Sequence, residues 1–288
     1  MAGTKLDLNG DLKNRLILLL KSGKTNKEIG EVLKVNEKTI QRYKKHFNLK
    51  SSDFSDFRKK YDVHIFDIID SEEKAYWLGF LYADGCVYIN DKRREHYVRI
   101  CLKDSDIDHL KKLKTFFKDT REDKDSIKLT KRFLKQTGKT YLSYQYNISS
   151  RHLCNQLESL GCTRRKSLTL TFPSESIFSK SNLIYDFIRG YFDGDGCISH
   201  TIDKHGILRP YISALGTREF LEGVQKYLPE FPNLYNHGNV FKIVCYYKKA
   251  RSIANKLYGH ATVYLDRKYE KFKEYFEYKD GEGNKDGD

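Results

Sequence analysis

The sequence predicts an α+β protein in which two pseudo-symmetric αββαββα halves follow a small all-α unit. Three observations predict it. The phrase Trp77-Leu78-Gly79-Phe80-Leu81-Tyr82-Ala83-Asp84-Gly85-Cys86 returns, altered, as Ile188-Arg189-Gly190-Tyr191-Phe192-Asp193-Gly194-Asp195-Gly196-Cys197, 111 positions later. After each copy the same succession of period-two and helical apolar patterns recurs. The first fifty residues follow a different and purely helical pattern.

In that first segment Leu12 to Leu20 is apolar and helical until Ser22-Gly23 stops it. Thr25 caps a second helix through Leu33, and a Lys34-Val35-Asn36 turn leads to a third over Glu37 to Phe47. Ile29, Val32, Leu33, Val35 and Ile40 supply the expected core, with Thr39, Gln41, Arg42, Lys44 and Lys45 on or beside the last helix's outer face. Residues 1 to 60 hold fifteen Lys and Arg against seven Asp and Glu, a net +8. Residues 1–50 are therefore expected to be a basic helical domain and 51–70 a connector.

The first half is expected over 71–172. Its motif helix ends at Gly85, and Val87-Tyr88-Ile89 with Val98 to Leu102 reads as a hairpin turning at Asp91 to Glu95. Asp106 to Phe117 is helical, Ile127 to Thr130 and Leu142 to Ile148 form a second strand pair, and Arg151 to Leu160 closes the half. A linker over 173–180 leads to the second half, 181–278. There Ile198 to Thr201 pairs with Pro210 to Leu215, Glu219 to Leu228 is helical, Leu234-Tyr235 pairs with Val240 to Tyr247, and Ala250 to Tyr258 closes. Residues 279–288, Gly-rich and acidic, read as a tail.

Composition narrows the class. At 288 residues and 39% apolar content the chain supports real cores. Lys and Arg number 53 against 39 Asp and Glu, a net charge of +14, which favours a polyanionic partner. With no apolar run of membrane length and no signal-peptide pattern in Met1 to Gly10, the expectation is a soluble intracellular protein bound to nucleic acid and not to a membrane. The six cysteines show no metal or disulfide spacing and are expected to be small buried hydrophobes.

The repeated phrase carries the chemistry. Gly79 and Ala83, like Gly190 and Gly194, stand four apart and share a helix face, so two such helices can approach backbone to backbone. Each then delivers an aspartate, Asp84 or Asp195, at its C-terminal end, where carbonyl oxygens already carry partial negative charge. Something positive must offset this, and hard oxygen donors select magnesium or calcium. The carbonyls of Ala83 and Gly194 are candidate further ligands. A metal cluster in a basic protein suits phosphodiester hydrolysis, and Lys166 and Lys268, at matching points of the halves, are candidate catalytic cations.

The two segments resemble the paired motifs of LAGLIDADG homing endonucleases, and the element order resembles that fold through most of residues 71 to 276. The resemblance implies a site-specific, magnesium-dependent double-strand DNA endonuclease with two or three divalent ions at the helix ends. It implies a monomer whose strands form a DNA-binding β-saddle in the major groove of a long asymmetric site. Tyr82 departs from the motif's earlier acidic position, which Asp193 keeps. The first fifty residues resemble a helix-turn-helix.

Strand periodicity assigns the saddle's outer face. With Val98, Ile100 and Leu102 inward, Arg99 and Lys103 point outward, as do Tyr88, Asn90, Gln145, Asn147, Ser199, Thr201, Tyr211 and Ser213. Lys92, Arg93, Lys128, Lys204, Arg209 and Lys242 are expected at phosphates. A regulator that binds DNA without cutting, and an RNA-splicing maturase, are the alternatives that share such a fold.

Overall fold

The computed structural model describes residues 8–50, 54, 56–134, 138–206 and 208–276. They divide into two compact units, one reaching Val63 and including Lys118–Thr120, the other comprising His64–Phe117 and the chain from Arg121 onward.

The first unit holds α1 (Gly10–Lys21), α2 (Asn26–Leu33) and α3 (Glu37–His46). Each begins where a side-chain oxygen can accept from the first turn, at Asn9, Thr25 and Asn36. Thr25 and Glu28 form a reciprocal capping box. Leu12, Leu16, Leu20, Ile29, Leu33, Ile40, Tyr43 and Phe54 make the core. Two expectations fail here. Val32 is 44% exposed, because the buried stripe of α2 is Ile29, Gly30 and Leu33 and Val32 falls beside it. Lys44 is 6% exposed and not on the outer face; its stem lies along the core and its Nζ donates to Asn26 Oδ1 at 3.2 Å.

The second unit begins with α4 (Glu72–Asp84), β1 (Gly85–Asn90), β2 (Glu95–Lys103), α5 (Ile107–Phe116), the short α6 (Asp123–Ser126), β3 (Ile127–Leu134), β4 (Lys139–Ile148) and α7 (Arg151–Ser159). The order returns as α8 (Leu183–Asp195), β5 (Gly196–Ile202), β6 (Leu208–Gly216), α9 (Arg218–Tyr227), β7 (Leu234–His237), β8 (Val240–Tyr246) and α10 (Tyr247–Tyr258), followed by α11 (Asp266–Tyr275). Each half folds one antiparallel four-stranded sheet, ordered β1-β2-β4-β3 and β5-β6-β8-β7. The α+β class and the αββαββα order stand as the sequence predicts. Helices α6 and α11 are additions.

Val87, Val98, Ile100, Tyr146 and Ile148 are buried on the inner face, and Arg99, Cys101, Lys103, Gln145 and Asn147 lie on the other. Ser213 has the outward phase but is only 4% exposed, its short side chain lying between Tyr211 and Leu215 on the same face. The cysteines also divide: Cys154, Cys162 and Cys245 are buried, whereas Cys86, Cys101 and Cys197 are exposed.

The last part of the expected connector, from His64, belongs to the larger unit. Ile65, Phe66 and Ile69 are buried, and Phe66 packs on the rings of Phe116 and Phe117. Ile69 pairs with Phe178 of the expected 173–180 linker, and the Ser179 amide donates to the Ile69 carbonyl at 2.9 Å. The segments that precede α4 and α8 are thus joined. Ser51 to Asp53 and the 279–288 tail lie outside the described residues.

Helices α4 and α8 form the fold's most extensive helix contact. Helix α4 is buried from Ala75 through Tyr82, as expected of a helix apolar on every side. A Cβ on Gly79 would lie 1.9 Å from the Phe187 carbonyl oxygen, and one on Gly190 the same distance from that of Tyr76. The approach is reciprocal and leaves no room for a methyl group. Gly85 and Gly196 do not form left-handed caps, since their φ values are −75° and −92°. They are needed for space: a Cβ at either would meet a carbonyl oxygen, of Leu81 or Phe192, at 2.5 Å. Each helix therefore runs into its first strand without a loop.

Because both obstructing atoms are backbone, Gly79→Ala and Gly190→Ala must force the helices apart. Each is expected to lower stability by roughly 3 kcal/mol, the upper range for overpacking, read as a fall in the thermal midpoint by circular dichroism. A midpoint unchanged in both variants would contradict the contact.

Candidate active site at the paired helix ends

The close crossing brings the last residues of α4 and α8 together. A Cβ on Gly194 would lie 2.2 Å from that of Ala83 and 3.2 Å from Asp84 Oδ2. Gly79, Ala83, Gly190 and Gly194 all lie on the helix contact, and Asp84 and Asp195 stand side by side beyond it. Both carboxylates reach solvent, yet surrounding protein strips much of their hydration. This loss, reinforced by the Asp195 charge, pushes the Asp84 pKa up to about 6. Asp195 is raised mainly by the same loss of hydration, against the pull of Lys166 and Lys268.

The two lysines do converge here. Lys166 opens a 3-10 turn over Lys166–Leu168, and its Nζ donates to the Ala83 carbonyl at 2.8 Å. Lys268, on the first turn of α11, is 3% exposed. Its Nζ donates to the carbonyls of Phe192, Asp193 and Gly196 at 2.5, 2.7 and 2.7 Å, with Gly194 at 3.5 Å. An ammonium has three donors, so Lys268 is spent on the end of α8. Burial lowers its pKa to about 8, so it still carries its proton at neutral pH. The carbonyls expected as metal ligands, Ala83 and Gly194, thus each have a lysine beside them, with a second lone pair remaining.

Asp193 is the position beside the site whose importance to its geometry sequence reasoning undervalued. It is fully enclosed, and its Oδ2 accepts from Tyr76 Oη and the Leu265 amide while Oδ1 accepts from Tyr258 Oη, each at 2.7 Å. Burial raises its pKa, and Lys268 with these donors opposes the rise. Leu265 directly precedes α11, so Asp193 locates the turn that carries Lys268. In the first half Tyr82 occupies the matching place, and its hydroxyl donates to the Leu160 carbonyl at the end of α7. Arg189, 2% exposed, adds a tie from α8 to Glu72 at 2.7 Å and to the Leu257 and Val263 carbonyls. Only the pair of Arg189 with Asp186, three residues earlier and 2.8 Å away, is local; the other partners lie 65 to 117 residues away and leave no local sequence signal.

A cavity of about 270 Å³ opens between the halves, lined by Ala83, Lys166, Tyr191 and Asp195 among others. The oxygen donors at the two helix ends are the Asp84 and Asp195 carboxylates and the Ala83 and Gly194 carbonyls, of which Ala83 and Asp195 line the cavity. That set fits magnesium, which is held by one or two carboxylates and completes its shell with water and substrate phosphate.

The expected outer face is present but partly pre-paired. Arg99 Nε donates to Asn147 Oδ1 at 3.0 Å, with its guanidinium 4.7 Å from the Tyr97 ring, itself stacked on Tyr88. Arg209 is engaged by Asp203 at 2.8 Å, and Lys128 Nζ donates to the Lys124 carbonyl at 2.6 Å. Asn90, Lys103, Gln145, Ser199, Thr201, Lys204, Tyr211 and Lys242 reach the surface. In the first unit Gln41, Arg42 and Lys45 line one recess with Lys38, while Thr39 is turned to Asn36.

The raised Asp84 pKa makes a stability prediction. The folded chain holds this proton more tightly than the unfolded chain, so stability is lost as pH rises from about 4 to about 6. In chelator-treated protein Asp84→Asn should raise the thermal midpoint at pH 7.5, and the gain should shrink towards zero at pH 4.5. A variant that melts below the parent at pH 7.5 would contradict the strained pair.

Residues 182–275 match the family model described as a LAGLIDADG-like domain. No curated protein sequence matches the chain. Among solved structures, the homing endonuclease I-SmaMI bound to cleaved DNA is 13% identical, covering 69% of this chain and 86% of that one, with a TM-score of 0.44. The homing endonuclease I-GzeII in complex with its DNA target is 14% identical, covering 69% and 87%, with a TM-score of 0.42. The meganuclease I-AabMI bound to uncleaved DNA is 14% identical, covering 63% and 82%, with a TM-score of 0.40. The stretch 182–275, which includes the helix that ends in Asp195, is thus similar to a LAGLIDADG-like domain.

Proposed function

We propose that the protein is a site-specific endonuclease that hydrolyses both strands of duplex DNA, using magnesium held between Asp84 and Asp195. One observation carries this reading: two carboxylates are forced together at facing helix ends, in a chain of net charge +14, with Asp84 raised to about 6. Like charges held this close and partly stripped of water are costly to keep unless a cation uses them.

Bound magnesium would supply activation of water and charge stabilisation at the leaving oxygen. The chain's own residues do the positioning. Asp84 and Asp195 would hold the cations, and the crossing of α4 and α8 keeps the two carboxylates side by side. Lys268 holds the carbonyls at the end of α8 and is a positioning residue. Lys166 bonds one carbonyl at the cavity wall, which leaves N–H groups to meet a phosphate or water. The outer strand faces would lie in the major groove, Arg99, Gln145 and Asn147 reading base edges and the lysines meeting phosphates. The three-helix unit, through Gln41, Arg42 and Lys45, would extend the footprint as a helix-turn-helix. One chain carries both carboxylates, so a monomer suffices.

Asp84→Asn and Asp195→Asn should each lower magnesium-dependent double-strand cleavage by about 100-fold or more while duplex binding persists. The target is obtained by incubating the protein with magnesium and a randomised duplex library and sequencing the cut ends. Bound but uncut DNA from the unmutated chain would replace this reading with that of a regulator, and selective retention of RNA with that of a maturase. Lys166→Met should slow cleavage with little change in melting, whereas Lys268→Met should lower the melting temperature as well, because it strips donors from three carbonyls. Equal effects of the two on melting would contradict these separate roles.

A further inference from the structure

Away from the helix ends, His64, Asp67 and His152 bring one ligand atom each within 4.8 Å of one another. His64 Nδ1 lies 2.9 Å from Asp67 Oδ2, and His152 Nε2 lies 2.6 Å from Asp67 Oδ1. The imidazole centroids are 4.1 Å apart.

The fold sets this arrangement from several sides. The Asp67 amide donates to the His64 carbonyl at 2.9 Å, closing a turn that puts both side chains on one flank. Inside that turn Phe66 is fully buried against Phe116 and Phe117, which anchors it to the core. His152 stands on the first turn of α7, and Gln156, on the same helix face, donates from Nε2 to the Phe66 carbonyl at 3.2 Å. The turn is thus gripped twice by α7.

Two imidazoles and one carboxylate are a borderline donor set, suited to zinc and unsuited to magnesium. Zinc bonds of about 2.0–2.1 Å in tetrahedral geometry space the ligand atoms roughly 3.4 Å apart. The His–Asp contacts of 2.9 and 2.6 Å use different Asp67 oxygens, so to admit the ion one contact opens by less than an ångström while the other ligand atoms, all within 4.8 Å of one another, draw in by about an ångström. The side chains are 36% to 47% exposed, so entry is open and water can take the fourth position.

We propose that His64 Nδ1, His152 Nε2 and an Asp67 carboxylate oxygen form a zinc site that staples the turn before α4 to α7. The site is independent of the endonuclease reading. Zinc replaces both His–Asp hydrogen bonds, and each imidazole binds as the neutral ring.

The test uses the full chain without an affinity tag, stripped with chelator and titrated with zinc alone. Calorimetry should give one zinc per chain, and zinc at about a hundredfold over its dissociation constant should raise the thermal midpoint by roughly 5 °C. Cobalt in place of zinc should give the visible absorption of a tetrahedral site. His64→Gln and His152→Gln should each lose the midpoint shift and the cobalt spectrum, while the double variant Asp84→Asn, Asp195→Asn keeps both. His64→Gln, on the exposed side of the turn, serves where His152→Gln folds poorly. No stoichiometric zinc binding, equal binding by the histidine variants, or binding lost only in the aspartate double variant would each overturn the proposal.

Discussion

The structure depends on one contact, the passage of the α4 and α8 backbones at Gly79 and Gly190. With no Cβ between them the helices come close enough for their last turns to converge, so four orphan carbonyls and one carboxylate per helix share a small volume. The usual remedy for a helix end is a left-handed residue that turns backbone N–H groups onto the final carbonyls. Here each helix becomes a strand at once, through Gly85 or Gly196 with negative φ, and that remedy is absent. Lysine side chains take its place. Lys268 donates to three carbonyls at the end of α8, and Lys166 to that of Ala83 at the end of α4. Lys268, with three carbonyl partners, is therefore needed by the fold before any reaction is considered, and both lysines offset the facing carboxylates.

The two halves meet this shared demand unequally. In the second half Asp193 collects donors from Tyr76 of α4, Tyr258 of α10 and the backbone before α11, so one carboxylate ties together three helices and the approach to Lys268. In the first half Tyr82 makes a single tie to the end of α7. Arg189 reinforces α8 again through Glu72. The end of α8 is thus held by charged groups from several directions and the end of α4 by fewer. Both lysines moderate Asp84 and Asp195 alike, while Tyr191 further lowers Asp195 and the Asp195 charge raises Asp84. The pair is chemically asymmetric, and its members are expected to differ in how they hold a cation.

What the sequence discloses and what it hides follow from distance along the chain. The duplicated phrase, the strand alternation of Val98 to Leu102 and the cap at Thr25 are local, and local patterns survive in the chain order. So do the small residues at Gly79, Ala83, Gly190 and Gly194, since four-residue spacing alone puts them on one face. Asp193 was visible as a motif position, but its partners Tyr76 and Leu265 lie 117 and 72 residues away. Lys44 and Ser213 fail for a related reason. Periodicity gives the phase of a side chain, whereas burial depends on what packs beside it, and Lys44 has Asn26 from another helix. Ile65, Phe66 and Ile69 were hidden because a buried turn has no period to detect.

On the proposed reading, recognition rests on the strand faces, and their state before binding bears on how selective they can be. Arg99 is held between the Asn147 amide and the Tyr97 ring, with Tyr88 stacked behind. A flexible arginine loses rotamer freedom when it docks on a base, at a cost of about 0.5–1.5 kcal/mol. One already fixed by a neighbour and a ring has lost most of that freedom in folding, so binding meets little further penalty and a misaligned base gains little from adjustment. Arg209, bound to Asp203, must instead exchange one anionic partner for another, which suits a phosphate contact of low selectivity. On that reading Arg99 and Asn147 are poised to discriminate, while Arg209, held by Asp203 and 4.7 Å from the Tyr247 ring, is poised to attach.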